Sequence, residues 1–275
     1  MTIISGKDRR LARLFGPDGR TFLVAADHGV TTGFDSGLGD MAPLLAAVAE
    51  GGADGVVVHR GTAKRHAPVQ RGTALLVHLS GSTNLSPDGD VKTAVCSVES
   101  AVALGADAIS VHVTLGCGAA DDRAALADLG VVSTDCERFG MPLLVMTYVR
   151  PGGPRSAGAA ALHAARVAAE MGADVVKATS PDLETSHALA TKIGVPVVVA
   201  GGETGRGAAF EDFLETSRLT LETGVAGLCV GRWVFTHADP ARATRALRDL
   251  VHPTGAGGAT PREAPLGSPF DLTRA

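Results

Sequence analysis

The apolar positions of this chain fall into short runs of valine, isoleucine and leucine, each followed by a longer stretch with helical periodicity. Because these runs do not alternate with polar residues, they are typical of strands that are buried on both faces of a parallel sheet. The eight runs are residues 21–26, 55–59, 74–79, 108–113, 142–148, 174–178, 196–201 and 226–231. The pattern predicts eight parallel strands with helices between them.

The segments between the runs have apolar residues at helical spacing, which predicts helices over 41–53, 91–106, 121–140, 159–173, 186–194, 209–224 and 239–251. Several of these segments end in glycine just before the next strand, in the sequences GGAD, LGAD, MGAD, IGVP and TGVAG. Glycine after a helix can adopt the left-handed conformation and turn the chain into a strand. The repeated ending therefore predicts a series of helix-to-strand turns.

Eight alternating strands and helices fit either a closed barrel or an open doubly wound sheet. A length of 275 residues favours the (β/α)8 TIM barrel, an α/β fold, and the first strand lacks the GxGxxG loop of a dinucleotide-binding sheet. We predict one domain over residues 1–251. The Gly- and Pro-rich residues 252–275 are predicted to be a C-terminal extension, either an extended arm or a poorly ordered end.

Composition excludes several classes of function. The formal net charge is −4, which argues against a general affinity for nucleic acid or anionic membranes. No apolar run has the length of a signal peptide or a membrane span. The four cysteines are scattered, as expected of reduced thiols. We therefore expect a cytoplasmic protein with no membrane or nucleic-acid partner.

A barrel of this kind carries its active site at the C-terminal ends of its strands. The side chains found there form an unusually polar set: Asp27, His28, His59, Arg60, His78, His112, Tyr148, Arg150, Lys177, Glu203 and Arg232.

Lysine is scarce, with only Lys7, Lys64, Lys92, Lys177 and Lys192 present. Lys177 lies between Val176 and Ala178 inside an apolar strand, where desolvation is expected to lower its pKa and keep the amine neutral. A neutral amine is what Schiff-base formation with a carbonyl group requires. The alternative is a structural lysine that extends from the strand end to water.

Two further side chains suit proton transfer. Tyr148, the only tyrosine, ends the strand before Lys177 and is a candidate general acid or base, or else a rim aromatic with a solvated hydroxyl. Asp27 ends the first strand and is a candidate to shuttle a proton or orient the lysine, or else a cap for the following turn.

Glycines end the last two strands, in VVVAGGE and LCVGRW. Barrel enzymes often bind phosphate at this position through loop amides, and Arg232 adds a bidentate donor. We therefore predict a phosphate site at Gly201, Gly202, Gly231 and Arg232. The alternative, that these glycines only terminate strands, explains one such pair more easily than two.

A metal site is the rival interpretation of the histidines, since His28, His78 and His112 are possible ligands. However, the sequence offers no HxH or HxxxH pair and no obvious carboxylate partner. We expect neither a metal nor an organic cofactor.

Several runs together resemble the archaeal-type class I (Schiff-base) aldolases, and within them the aminodideoxyheptulosonate synthases. They are AADHGV, HLSGSTNLSP, LGADAISVHV, MPLLVMTY, GADVVK, VVVAGG and GVAGLCVGRWVF, in order between about residue 8 and residue 252. The resemblance implies catalytic roles for Lys177 as the Schiff-base lysine, Tyr148 and Asp27. It also implies substrate or phosphate contacts from His28, Gly29, Val30, Thr31, Arg150, Gly201, Gly202, Gly231 and Arg232.

The same resemblance implies an aldol condensation of dihydroxyacetone phosphate with L-aspartate 4-semialdehyde. The product is 2-amino-4,5-dihydroxy-6-oxo-7-(phosphooxy)heptanoate, which leads to 3-amino-4-hydroxybenzoate in secondary metabolism. Alternatives are a fructose-bisphosphate aldolase, a transaldolase-type aminodideoxyheptulosonate synthase and a non-catalytic sugar-phosphate-binding barrel. Arg60, Arg150 and Arg155 are candidates to bind the semialdehyde carboxylate. By resemblance we also expect a homo-oligomer, possibly a decamer.

Overall fold

A closed barrel of eight parallel strands forms the centre of the computed structural model, which describes residues 5–34, 37–66, 72–85, 89–202 and 209–253. The barrel strands are β1 Thr21–Ala25, β2 Gly55–His59, β3 Ala74–His78, β4 Ala108–Leu115, β5 Leu143–Val149, β6 Val175–Ala178, β7 Val197–Ala200 and β8 Gly227–Val230. Each pairs with the next in sequence, and β8 pairs with β1. The predicted (β/α)8 barrel and its eight strands are confirmed.

Eleven helices accompany the strands in the described residues. They are α1 Gly6–Leu14, α2 Gly29–Thr32, α3 Met41–Glu50, α4 Arg60–His66, α5 Val98–Ala103, α6 Ala119–Phe139, α7 Ala157–Glu170, α8 Leu183–Lys192, α9 Phe210–Glu222, α10 Arg232–Phe235 and α11 Pro240–Val251. Four of these helices were not predicted from the sequence: α1, α2, α4 and α10, with nine, four, seven and four residues.

One helix prediction is wrong over half its length. Residues 91–106 were expected to form a single helix, but Thr93–Ala94 pairs antiparallel with Ser80–Gly81 instead. The helix begins only after Ser97, whose hydroxyl accepts the backbone N–H of Ser100 as an N-cap. As a result, an extended segment that includes Lys92 follows β3.

The predicted helix-to-strand turns are confirmed, since their glycines all have positive φ. The values are 80° at Gly52, 81° at Gly105, 92° at Gly172, 86° at Gly194 and 99° at Gly224.

The aspartates of the three GAD sequences have a structural role at the N-terminal end of the barrel. Each carboxylate accepts a backbone N–H from near the start of the preceding strand. Asp54 accepts from Phe22, Asp107 from Leu75 and Asp174 from Leu143. These bonds tie neighbouring strands together where the backbone would otherwise lack a partner.

Two apolar layers hold the barrel. One lies between the strands and the surrounding helices, and the other fills the barrel interior. Leu11 and Leu14 of α1, together with Phe15 just after the helix, close the interior at the N-terminal end. The polar residues of the strand ends are therefore left at the opposite end, the mouth of the barrel.

The C-terminal extension lies almost wholly outside the described residues, which end two positions after Val251. Glu203 is outside them too. All four cysteines are free. Among the helices that the structure describes, none has the length and apolar character needed to cross a membrane.

Candidate active site

Lys177 points into the barrel from the middle of β6. Its neighbours Val176 and Ala178 belong to the layer beneath the helices, so strand alternation directs the lysine to the interior. Only 5% of the residue is exposed. Its Nζ lies 3.8 Å from Sδ of Met146, its register partner on β5. The amine of Lys177 therefore faces the barrel interior.

Tyr148 lies one strand away, near the end of β5, and is half-buried at the mouth. The imidazole of His112, on β4, stacks against its ring. Nε2 of His112 is 3.0 Å from the hydroxyl of Thr114, which is the register partner of Tyr148. The stack restrains the ring plane of the tyrosine, which lines the cavity at the mouth.

Asp27 follows β1 and faces two histidines. Its carboxylate oxygens are 3.7 Å from Nδ1 of His28 and 3.6 Å from Nε2 of His78. His78 is 2% exposed, and its Nδ1 is 2.9 Å from Oγ of Ser110. Oδ1 of Asp27 and Nδ1 of His28 have no hydrogen-bond partner among the described residues, although both atoms are buried. Such atoms are suited to a substrate hydroxyl.

Asp27 is ionised, whereas the imidazoles of His28 and His78 beside it are neutral. Burial raises the pKa of Asp27, but the charges of His78, His28 and Lys177 lower it by more, so the net pKa falls. Burial lowers the pKa of His78 to about 4 against the opposing effect of Asp27. Burial likewise lowers the pKa of His28, His59 and His112. At neutral pH these imidazoles are uncharged.

The expectation that the pKa of Lys177 is lowered, so that its amine is neutral, is wrong. Burial does lower the pKa of Lys177, as predicted, but interactions with Cys229, Tyr148 and Asp27 raise it by more, so the net pKa is raised. Burial also raises the pKa of the Cys229 thiol. The resting site therefore contains an ammonium group, which must lose a proton before it can attack a carbonyl carbon.

The two glycine-containing strand ends belong to the neighbouring strands β7 and β8, and two side-chain hydrogen bonds join them. A guanidinium nitrogen of Arg232 donates to the carbonyl of Gly202 over 3.1 Å, and the Trp233 indole N–H donates to the carbonyl of Gly201 over 3.0 Å. Gly202 has φ 67°, and a Cβ at Gly231 would lie 2.5 Å from the carbonyl oxygen of Ala25. Both positions thus need glycine for backbone reasons.

Two connected cavities open at the mouth and share four lining residues, His28, Tyr148, Lys177 and Thr179. The smaller, of about 250 Å³, is bordered by Gly201, Gly202, Gly231 and Arg232, and we call it the glycine lobe. The larger, of about 430 Å³, is the wide lobe. Its other lining residues include Asp27, Thr31, Asp90, Lys92, His112 and Arg150. Lys177 and Tyr148 thus lie where the lobes join.

Most of the predicted site residues come together here, but not all. Gly29 and Val30 do not line either lobe, and Val30 is 45% exposed. Among the arginine candidates for the semialdehyde carboxylate, Arg150 lines the wide lobe, whereas Arg60 and Arg155 line neither.

Sequence reasoning left three lining or neighbouring side chains without a role. His78 and His112 had been noted at strand ends but weighed only as metal ligands. Lys92 was missed because its segment was predicted to be a helix. Its one signal was the scarcity of lysine.

Within the described ranges, no three His, Cys, Asp or Glu side chains are grouped so as to hold a metal ion.

Comparison with known proteins gives a consistent result. Residues 21–237 match the DeoC/LacD family of aldolases. The 2-amino-3,7-dideoxy-D-threo-hept-6-ulosonate synthase 1 of Archaeoglobus fulgidus is 38% identical over 92% of this chain and 93% of its own length. A 2-amino-4,5-dihydroxy-6-oxo-7-(phosphonooxy)heptanoate synthase of Streptomyces griseus is 38% identical over 94% of both chains.

A solved structure adds a chemical parallel. It is an archaeal fructose-1,6-bisphosphate aldolase with the catalytic lysine covalently bound to the carbinolamine intermediate of the substrate. The match has a TM-score of 0.81 at 32% identity and covers 90% of this chain and 99% of that one.

Proposed function

Since this chain belongs to the DeoC/LacD family of aldolases and is a Schiff-base (class I) aldolase, we propose that Lys177 is the lysine that forms the Schiff base. One observation carries the proposal: this amine lies at the junction of two cavities, within a strand that would otherwise be wholly apolar. A condensing aldolase needs such a position, because its nucleophile must contact a donor on one side and present it to an acceptor on the other.

The donor we propose is dihydroxyacetone phosphate. Its phosphate would lie in the glycine lobe, against Gly201, Gly202, Gly231 and Arg232, where a guanidinium and unhindered backbone amides favour an anion. Its ketone carbon would then face Lys177.

The neutral amine of Lys177 attacks the ketone carbon to give a carbinolamine. An acid in the site protonates the carbinolamine hydroxyl, which leaves as water and gives an iminium ion. Tyr148 or Asp27 removes a proton from the adjacent carbon, and the electron pair of that C–H bond neutralises the iminium nitrogen to leave an enamine. The enamine carbon attacks the acceptor aldehyde, an acid protonates the new alkoxide, and water releases the product from Lys177. No step requires a metal ion.

Asp27 has a second role in this scheme. Its carboxylate is ionised and close enough to Lys177 to affect its pKa, so it stabilises the positive charge of the iminium intermediate. His28 and His78 lie on either side of this carboxylate, with ring nitrogens 3.7 and 3.6 Å from its oxygens.

The acceptor we propose is L-aspartate 4-semialdehyde, bound in the wide lobe, with 2-amino-4,5-dihydroxy-6-oxo-7-(phosphooxy)heptanoate as product. The name of the Streptomyces griseus relative supports this assignment. The Archaeoglobus fulgidus relative and the archaeal fructose-1,6-bisphosphate aldolase support two alternatives within the same chemistry. These are an aminodideoxyheptulosonate synthase reaction and a fructose-bisphosphate aldolase reaction.

Borohydride trapping tests the proposed lysine. Reduction in the presence of dihydroxyacetone phosphate should add the mass of the reduced ketone at Lys177, as located by peptide mass spectrometry. Lys177→Ala should lose labelling and turnover, whereas Lys192→Ala, at an exposed lysine of α8, should keep both. Labelling elsewhere in the wild-type protein, or turnover that resists borohydride and is abolished by a chelator, would refute the scheme.

The acceptor is tested separately. Dihydroxyacetone phosphate would be offered with aspartate semialdehyde or with glyceraldehyde 3-phosphate, and the products identified by mass. Preference for the phosphorylated aldehyde would favour the fructose-bisphosphate alternative while leaving the role of Lys177 intact.

A further inference from the structure

Lys92 is a second lysine at the mouth of the barrel. It precedes Thr93–Ala94, which pairs with Ser80–Gly81 just after β3, so its segment folds over the strand ends. There it lines the wide lobe together with Asp27 and His112. It does not line the glycine lobe, where the donor phosphate is proposed to bind.

The direct partners of this ammonium group are hydroxyl groups, and two carboxylates, Asp27 and Asp90, act on it from a greater distance. Its Nζ donates to the hydroxyl of Thr31 over 3.2 Å and to the hydroxyl of Ser82 over 2.5 Å. Across the part of the chain that the structure describes, no carboxylate oxygen lies within 4.0 Å of Nζ. Two hydroxyl acceptors leave one of the three N–H donors of a lysine for a further partner. A half-buried ammonium group with a spare N–H and no direct ion pair in the described residues can bind an anion.

The charge of this wall sets the kind of anion. Arg150 also lines the wide lobe, but its guanidinium is 3.7 Å from the carboxylate of Asp90, which offsets its charge. The charged side chains that line the wide lobe are Lys92, Arg150, Lys177, Asp27 and Asp90, and their three positive and two negative charges leave one net positive charge. That matches the single negative charge of a carboxylate better than the two charges of a phosphate group.

We propose that Lys92 binds the carboxylate of the acceptor and so determines which aldehydes the enzyme accepts. The inference rests on the proposed function, because an acceptor whose aldehyde carbon faces Lys177 from the wide lobe can direct its other end to Lys92. Thr31 and Ser82 hold the ammonium group in position. The acceptor class is therefore an aldehyde with a carboxylate at its far end.

Replacing the charge tests the assignment. Lys92→Met should raise the KM for aspartate semialdehyde about 10- to 100-fold, the usual loss when a charge-assisted hydrogen bond is removed. The KM for glyceraldehyde should stay within about twofold of the wild-type value, because this acceptor has no charged group for Lys92 to bind. Lys92→Arg, which keeps the charge, should restore most of the affinity, and Lys192→Met is the matched control at an exposed lysine.

Donor labelling separates this inference from the proposed function. In Lys92→Met, borohydride trapping of dihydroxyacetone phosphate at Lys177 should proceed as in the wild-type protein. No labelling of the wild-type protein would refute the proposed function itself. Normal wild-type labelling that is lost in Lys92→Met would overturn the present inference, because Lys92 would then act on the donor.

Two other results would also overturn the inference. One is an unchanged KM for aspartate semialdehyde in Lys92→Met. The other is a KM increase confined to glyceraldehyde 3-phosphate, which would identify the bound anion as a phosphate. If the methionine variant does not fold, as judged by circular dichroism, Lys92→Gln provides the same test, since its amide can still donate to Thr31 or Ser82.

Discussion

The imidazole of His112 stacks on the phenol of Tyr148, with ring centroids 4.3 Å apart and an angle of 11° between the planes. The two residues lie on adjacent strands, and Thr114 is bonded to the far side of the imidazole. Burial holds the pKa of His112 well below its usual value, so the ring that packs against Tyr148 is neutral. We interpret His112 as a positioning residue that sets the direction of the phenol.

Removing this ring should slow proton transfer without preventing donor binding. Because an aromatic pair contributes about 1 kcal/mol, His112→Ala should lower kcat about 5- to 10-fold. The KM for dihydroxyacetone phosphate should change little. His112→Phe keeps the stack and should recover most of kcat, measured in a steady-state condensation assay. Equal loss in both variants would instead assign a role to the imidazole nitrogens.

The raised pKa of Lys177 predicts a pH dependence for Schiff-base formation. Only the neutral amine attacks the ketone, and its fraction falls about tenfold for each pH unit below the pKa. The rate of labelling by dihydroxyacetone phosphate should therefore rise between pH 6 and pH 9. Aliquots taken at each pH and reduced with borohydride at one fixed pH give this rate by mass spectrometry.

Asp27 is one of the groups that raise the pKa of Lys177, after Cys229 and Tyr148. Asp27→Asn removes that charge, so the labelling profile should move to lower pH. Asp90→Asn, at a carboxylate that lines the wide lobe but is not among the groups that shift Lys177, is the matched control and should leave the profile in place. A shift of the Asp27→Asn profile to higher pH would contradict this interpretation.

The fold was predictable because strand burial and turn conformation depend on residues that are close in sequence. Each of the eight apolar runs became a barrel strand, and each GAD or related glycine took the left-handed conformation. The place of Lys177 within an apolar strand also followed from its local sequence. These features depend on residues that are close in sequence.

Other features depend on contacts between distant segments. The raised pKa of Lys177 follows from Cys229, Tyr148 and Asp27, which lie on β8, on β5 and after β1, whereas burial alone predicts a lowered pKa. Residues 91–97 have helical periodicity, but pairing with Ser80–Gly81 outweighs that local preference. Lys92 was missed for the same reason. Its place in the cavity exists only once that pairing forms.

Gly231 provides a test of the glycine lobe. A Cβ there would lie 2.5 Å from the carbonyl oxygen of Ala25 and 2.8 Å from Cε1 of His28. Gly231→Ala should therefore displace the end of β8 and raise the KM for dihydroxyacetone phosphate by about tenfold or more. Gly153→Ala, where a Cβ would meet nothing within 4 Å, is the control and should behave as the wild-type protein. An unchanged KM in Gly231→Ala would remove this loop from the proposed phosphate site.

His78 should make the protein sensitive to acid. Burial lowers its folded-state pKa to about 4 from an ordinary value of 6.5, so the unfolded chain binds the extra proton between these pH values. Stability is then fully present above pH 6.5 and falls as the pH drops toward 4, by up to about 3 kcal/mol. Urea unfolding across this range should show a shallower pH slope for His78→Gln than for the wild-type protein. Equal slopes would mean that folding does not lower the pKa of His78.

His252 should give the opposite dependence at the N-terminal end of the barrel. Its Nε2 is 2.8 Å from Asp54 and its Nδ1 is 2.8 Å from Asp18. The hydrogen bond with Asp54 is the main cause that raises the pKa of His252, with burial opposing it and Asp18 adding to it. The unfolded chain loses this proton first as pH rises, so the stabilisation is fully present below pH 6.5 and is lost as pH rises through the folded-state pKa.

Because Asp54 also accepts the backbone N–H of Phe22 on β1, His252 links the end of α11 to the barrel. We expect His252→Gln to lower the free energy of unfolding by about 1–3 kcal/mol at pH 6, the range for hydrogen bonds to charged groups, and by less at pH 8.5. Urea unfolding at both pH values measures the difference, with His163→Gln as a control at an exposed histidine of α7. A larger loss at pH 8.5 than at pH 6 would show that His252 contributes as a neutral ring, through packing, and that its charge does not hold α11 to the barrel.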